Sequence, residues 1–335
     1  MASNHNTVDY QGSQQGYSLA AIGIAVLSVM ALALSAYFMG TMQVANRSGH
    51  SQVEKYPFLA QRLFEPEHND LIVNFTQLRE VMRSTQKEHG LPVGVYFEYL
   101  PTGSSIGVND QFEVELGSLA KVPAVMATYK NIEDGVISPD TNMTLKPEYL
   151  DNQFGSMWQK GAGAKVTVRE AIKASLVESD NTAVNALIAS IPNASHEAVF
   201  ERLDLPKTTD GVFPTMSPKG YASIFRNLYL STYLSYEHSN AILDYLSKTK
   251  FTDKLPAGVP SSVKVSHKIG VFNTPETKTT VYNDCGIVYV PQRPYILCIM
   301  AATDEATARK ETITYSKMVY SFVAQVKAEK PADQE

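Results

Sequence analysis

The chain has 335 residues, 44% of them hydrophobic and 19% charged, with a formal net charge of −5. That length suits one large domain or two small ones once non-globular ends are set aside, and an acidic balance without a basic stripe excludes the electrostatic footprint of a nucleic-acid-binding protein. The 7 histidines are scattered and the 2 cysteines fall in apolar, β-rich stretches, so no metal site and no cofactor is expected.

Residues 1–17 are rich in Gln, Asn, Ser and Gly and are expected to be disordered. Residues 18–40 carry no charge and are built mostly from Ala, Leu, Ile, Val, Met, Phe and Gly. At about 1.5 Å per residue, roughly 20 such residues cross a hydrocarbon core of about 30 Å, which predicts a transmembrane helix. A cleaved signal peptide is the alternative, suggested by Ala31-Leu32-Ala33. The absence of Lys and Arg from residues 1–17 and the length of the apolar run favour an uncleaved, single-pass anchor. Arg47, Lys55 and Arg62 follow the run, so the positive-inside rule taken literally keeps the large domain in the cytoplasm. Long domains translocate largely regardless of flanking charge, and the chemistry inferred below belongs outside the cell, so an extracytoplasmic domain is expected.

Residues 41–68 read as a polar linker, 69–328 as the folded domain and 329–335 as a disordered tail. Apolar positions Leu71, Phe75, Leu78, Val81 and Met82 recur at helical spacing, and Gly90 with Pro92 ends that helix. Val93 to Leu100 and Ser105 to Val108 flank the turn signal Pro101-Thr102-Gly103-Ser104 and predict a hairpin. Amphipathic runs at 119–133, 168–178, 182–191, 197–203, 218–230 and 237–247 make the middle helical. Strand signals return at 263–270, 279–290 and 295–302, and a helix closes the domain from about Glu305 to Lys327. The fold class expected is α+β: an antiparallel sheet of about five strands, flanked by terminal helices, with an inserted all-helical lobe. A hairpin turning at Pro291 to Pro294 with Val290 facing Tyr295 sets Cys285 and Cys298 diagonal to one another, so two buried free thiols are expected.

A lysine one helical turn after a serine can set its amine against the hydroxyl. The Ser-x-x-Lys spacing occurs 4 times, at Ser84, Ser118, Ser247 and Ser261. Only Ser118 stands where a strand-rich segment, Phe112 to Leu116, passes through Gly117 into an apolar helix, a place where free backbone N–H groups can meet a developing oxyanion. The other three lie in polar sequence and read as surface. Ser179-Asp180-Asn181 sits between two helical runs, where a simple helix cap would also suffice. Lys268-Ile269-Gly270 lies on a late strand, where glycine lets a ligand approach the backbone and an ordinary edge-strand lysine is the plainer reading.

In this order, Ser118-x-x-Lys121, Ser179-Asp180-Asn181 and Lys268-x-Gly270 resemble the three signature motifs of class A β-lactamases and penicillin-binding proteins. Val93-Gly94-Val95-Tyr96 before Pro101-Thr102-Gly103, His267 before the lysine, and Asp284-x-Gly286-Ile287-Val288 are similar to that family as well, and the likeness spans roughly Asn69 to Lys327. The resemblance implies a serine hydrolase in which Ser118 forms an acyl-enzyme, Lys121 accepts its proton, and Ser179 relays it to the leaving nitrogen beside Lys268. It further implies that Asn181 binds the substrate's side-chain amide, and that Gly270 and Val271 line the oxyanion side, with the N–H groups of Ser118 and Val271 as donors. A neighbouring Lys268 should lower the pKa of Lys121. The implied partner is a β-lactam or the D-Ala-D-Ala end of a peptidoglycan stem peptide; a monomer is expected.

Two departures bear on the reaction. Ile269 stands where the family usually has a hydroxyl that helps hold the substrate carboxylate, a task that would pass to Thr279 or Thr280. The glutamate that activates the deacylating water in class A enzymes has no counterpart: the short stretch Leu205 to Ser217 holds only Asp210 as an acid, and Glu201 belongs to the preceding helix. A long-lived acyl-enzyme follows, closer to penicillin-binding behaviour. A catalytically idle cell-wall-binding domain and an esterase or amidase of related fold are the competing functions, and the loops Leu150 to Gly163 and Leu205 to Ser217, with Phe154 and Trp158 as a lip, decide the substrate.

Overall fold

The computed structural model describes residues 52–64, 74–203, 205, 215–273 and 278–325, together with 30, 32, 34 and 35. The chain divides into two compact units, residues 1–54 and 55–335. In the first, Met30, Leu32, Leu34 and Ser35 are helical and exposed; the remainder of the expected anchor and the whole of 1–17 lie outside the described residues, as does the tail 329–335. Among the described residues no helix is long and apolar enough to cross a membrane.

In the second unit, α1 (Thr76–His89) buries Leu78 and Met82 and stops at Gly90, whose φ of 60° is the left-handed cap that glycine adopts without Cβ strain. β1 (Val93–Tyr99) and β2 (Ser104–Val108) form the expected hairpin. A short β3 (Val114–Glu115) leads through a 3-10 turn, Gly117–Ala120, into α2 (Lys121–Glu133). The helical lobe continues with a small ribbon of β4 (Asn142–Thr144) and β5 (Lys165–Thr167), then α3 (Val168–Val177), α4 (Asn181–Ser190) and α5 (Asn193–Arg202). Thr167 starts α3 with a full capping box to Glu170. β6 (Thr215–Met216) pairs with β3, and α6 (Pro218–Leu230) and α7 (Tyr236–Leu246) return the chain to the sheet. β7 (Val265–Asn273), β8 (Thr280–Val288) and β9 (Tyr295–Ala302) precede the closing α8 (Glu305–Gln325).

The main sheet runs β2-β1-β9-β8-β7, antiparallel throughout, so the early hairpin closes against the last strand. This is the expected α+β architecture. Strand alternation divides the core in two. Tyr96, Cys285, Ile287, Cys298 and Met300 join the cluster shared with the helical lobe, whereas Val95, Phe97, Val288, Leu297 and Ile299 join the cluster shared with α1 and α8. Burial on both faces is why every residue of β1 is buried and why it reads as an unbroken apolar run.

Two expectations are corrected. Cys285 and Cys298 form a disulfide, as directly opposed residues of β8 and β9 with Cα atoms 4.0 Å apart. The ladder closes at Val288 facing Tyr295, not at Val290, because Pro291 and Pro294 have no N–H to donate and the Tyr289 N–H leaves the hairpin for Lys264 O at 2.9 Å. Shifting the register by two residues moves the cysteines from diagonal to opposite. The linker boundary moves too: Phe58, Leu59 and Ala60, expected in a free linker, are buried. Phe58 N–H donates to Asn240 Oδ1 at 3.1 Å, Ala60 N–H to Tyr229 O at 2.9 Å, and the Phe58 ring meets Tyr289 edge-on at 5.3 Å. Burying an aromatic and a leucine gains about 1.5–3 kcal/mol each, enough to hold a short strap on the domain.

Candidate active site

The Ser118 turn is built by backbone contact with β7. Gly117 has φ 53°, and a Cβ there would also lie 2.5 Å from Val271 O, so both conformation and space demand glycine. A Cβ on Gly270 would overlap Leu116 O. With neither present, the two backbone stretches that carry the Ser118 and Val271 N–H groups lie in contact, the apposition an oxyanion hole requires. The turn is held from outside by Asn283, whose Nδ2 donates to Glu115 O at 2.9 Å, and by Tyr221, whose hydroxyl donates to Leu119 O at 2.8 Å.

Lys121 opens α2 one turn after Ser118, is 5% exposed, and brings Nζ to 3.0 Å from Ser118 Oγ. The remaining Ser-x-x-Lys pairs do not share this setting: Ser84 with Lys87 and Ser261 with Lys264 are exposed, and Lys250 is tied to Glu178 at 2.9 Å on the surface. At the break between α3 and α4, Asp180 caps α4 through Oδ1 to Ala183 N–H at 2.8 Å. Its Oδ2 accepts Met157 N–H at 2.7 Å, and Asn181 N–H donates to Phe154 O at 3.1 Å. The capping reading of this motif is therefore correct for Asp180, and the cap doubles as a clamp on the 154–157 loop. That clamp leaves Ser179 at φ 56°, a costly backbone state for a residue with a Cβ, with its side chain fully buried between two lysines.

Lys268, on β7 opposite Cys285, donates to Ser179 Oγ at 2.8 Å and to Ile269 O at 3.1 Å, and is fully buried. Lys121 Nζ reaches Ser179 Oγ at 3.3 Å, and also Ser179 O and Asn181 Oδ1. Ser118, Lys121, Ser179, Asn181 and Lys268 thus form one hydrogen-bonded group, with Gly270 and Val271 alongside. An ammonium has three protons, yet Lys121 Nζ has four oxygen partners. A neutral amine likewise makes three, two as donor and one through its lone pair, and that lone pair can accept the proton of Ser118. Burial pushes Lys121 down to about 8, against the pull of Asp180 and Asp151. Burial, and after it repulsion from Lys121, pushes Lys268 well below its ordinary value, against the pull of Asp284. The expectation that Lys268 lowers Lys121 is not met: repulsion acts on Lys268, and desolvation leads for both.

Ile269 is 4% exposed and offers no hydrogen-bonding side chain, while Thr279 and Thr280 stand half-buried at the start of β8. Glu201 is exposed on the last turn of α5; Asp210 lies outside the described residues. Trp158 is 36% exposed, and Phe154 meets Phe251 at 6.4 Å. Sequence reasoning missed Tyr221, Asn283 and Gly155, whose Cβ would overlap Asp180 Oδ2. None has a local signal, because each is defined by a partner far away in the chain.

This arrangement has known counterparts. The family model described as the β-lactamase enzyme family matches residues 75–323. The chain is 24% identical over 239 residues to β-lactamase 3 of Bacillus cereus, covering 67% of this chain and 73% of that protein. It is 22% identical over 244 residues to a β-lactamase of Streptomyces lavendulae, covering 67% and 78%. Among solved structures, PBP-A superposes with a TM-score of 0.69 at 21% identity, covering 76% of this chain and 100% of that one, and a β-lactamase from Sphaerobacter thermophilus with 0.66 at 17%, covering 76% and 100%. A family match that runs from the first helix into the last, enclosing the serine, both lysines and the strands that carry them, makes this chain a member of the β-lactamase enzyme family.

Proposed function

We propose that the protein is a membrane-anchored acyl-serine hydrolase whose Ser118 opens the amide of a β-lactam ring. The Lys121 amine carries this reading, lying 3.0 Å from Ser118 Oγ and losing its proton near pH 8. Lys121 takes the hydroxyl proton as Ser118 Oγ bonds to the carbonyl carbon. The oxyanion is met by the N–H groups of Ser118 and Val271, each worth about 3–4 kcal/mol in comparable sites. As the C–N bond breaks, the proton reaches the leaving nitrogen through Ser179, and the opened ring stays on Ser118 as an ester. The two curated relatives are β-lactamases by name, and a solved neighbour is a PBP-A mutant in acyl-enzyme complex with penicillin G.

A slow-turnover penicillin-binding enzyme that acts on the D-Ala-D-Ala end of a peptidoglycan stem peptide is the second reading. It is favoured by the partners of Lys121, which among the described residues are Ser118, Ser179 and Asn181, none of them an acid that could activate water. The 18–40 segment supplies the anchor in both readings, and an extracytoplasmic domain agrees with a disulfide, a bond that persists in oxidising compartments. Incubation with labelled penicillin followed by mass spectrometry tests the chemistry: a lasting adduct on Ser118 marks the penicillin-binding reading, rapid release of opened product marks a β-lactamase, and an unmodified Ser118 with intact penicillin at saturation overturns both. Protease added to intact cells should digest the domain.

A further inference from the structure

Two lysines that converge on one hydroxyl in a dry site need negative charge nearby. For Lys121 that charge is Asp180, with Asp151 beyond it. Among the described residues no carboxylate is bonded to Lys268; its hydrogen bonds go to Ser179 and to its neighbour's carbonyl. The anion that serves it lies behind the sheet. Asp284 precedes Cys285, the residue directly across from Lys268, and strand alternation puts its carboxylate on the opposite sheet face. It is 1% exposed and firmly held: Oδ1 lies 2.7 Å from His267 Nδ1, and Oδ2 accepts Leu255 N–H at 2.9 Å.

The histidine decides the charge of this pair. His267 is 1% exposed, and its Nε2 is buried without a partner. An imidazolium would bury a second N–H with nothing to accept it, costing about 1–3 kcal/mol, more for a charged group. The neutral ring, donating from Nδ1, avoids that cost and leaves the carboxylate its charge. The pair then carries one net negative charge within the sheet that bears Lys268. Charged groups on the elements packed against β8 include Lys254 and Asp253 beside the Leu255 turn, 3.6 Å apart, and Glu311 on α8, which is paired with His89 at 2.8 Å.

We infer that Asp284, kept ionised by His267 and the Leu255 N–H, is a positioning residue that holds Lys268 in its cationic form from the opposite face of the sheet. The meaning of that charge rests on the acyl-transfer reading, in which Lys268 orients Ser179, but the charge itself can be read without any substrate. Titration of the full chain with ¹³Cε-labelled lysine, followed by NMR and with the Lys268 signal assigned through Lys268→Arg, gives its midpoint directly. Asp284→Asn, which keeps an acceptor for Leu255, should lower that midpoint by about one unit, the lower end for a lost opposite charge. Asp284→Glu should restore it, and His267→Gln, which keeps a donor to the carboxylate, should leave it unchanged; Asp284→Ser replaces the Asn variant if that does not fold. Equal midpoints in wild type and Asp284→Asn overturn the inference, even if the variant is less stable. Acylation by labelled penicillin across the same pH range separates the two readings. A shifted lysine in a protein that penicillin never acylates sinks the acyl-transfer reading alone, and normal acylation with coincident midpoints sinks this one alone.

Discussion

Lys121 and Lys268 share an acceptor, Ser179 Oγ, yet they are built differently. Lys121 heads a helix, keeps 5% exposure, and touches Ser118. Lys268 projects from an edge strand, is sealed from solvent, and bonds to Ser179. In the proposed reaction, placement more than residue type divides the work: a lysine that touches Ser118 and is pushed down to about 8 can act as a base, while one behind Ser179 would serve as a fixed electrostatic partner.

The sharpest way to break this comparison is to remove each lysine in turn. Lys121→Met should slow acylation by labelled penicillin about 10³-fold, within the range for loss of a general base, whereas Lys268→Met should cost roughly 10²-fold because Ser118 and its base stay in place. Equal losses would mean that the two amines act as one unit and that no base can be singled out. Next in size is the anion that steadies the Lys121 side. Asp180→Ala leaves the N–H groups of Ala183 and Met157 without their acceptor, and urea denaturation should report a loss of about 2 kcal/mol. The gentlest test is pH. A base must be neutral to act, so the acylation rate should rise about tenfold per pH unit below the Lys121 midpoint of about 8 and level off above it. A profile already flat at pH 6 would assign the base to another group.

The same contrast governs what could be read in the chain. The Ser118 motif was legible because a helix brings residues three apart together, and the Asp180 cap because capping is local. The disulfide is not legible locally, because two prolines lengthen the turn and move the register by two residues. The strap at Phe58 reads as linker in sequence, since a short apolar run in polar surroundings carries no period, and its burial depends on Tyr229, Asn240 and Tyr289, all far along the chain. His267 and Asp284 were noted as family features, but nothing local announces a buried histidine with an orphaned nitrogen.

By itself, then, the amino-acid sequence determined the order of helices and strands and the α+β class, because periodicity, caps and turn residues act over a few positions, and its resemblance to a known family singled out Ser118, Lys121 and Ser179 as the candidate nucleophile, base and relay. Tertiary structure alone decided how the early hairpin joins the later strands, which face each lysine takes, and how much water each loses. Those depend on β1 closing against β9 and on β7 meeting the Gly117 turn backbone to backbone, contacts between residues too distant in the chain for any local pattern to encode. The pKa values follow from that burial, so the chemistry of Lys121 and Lys268 is a property of the fold before it is a property of the motif.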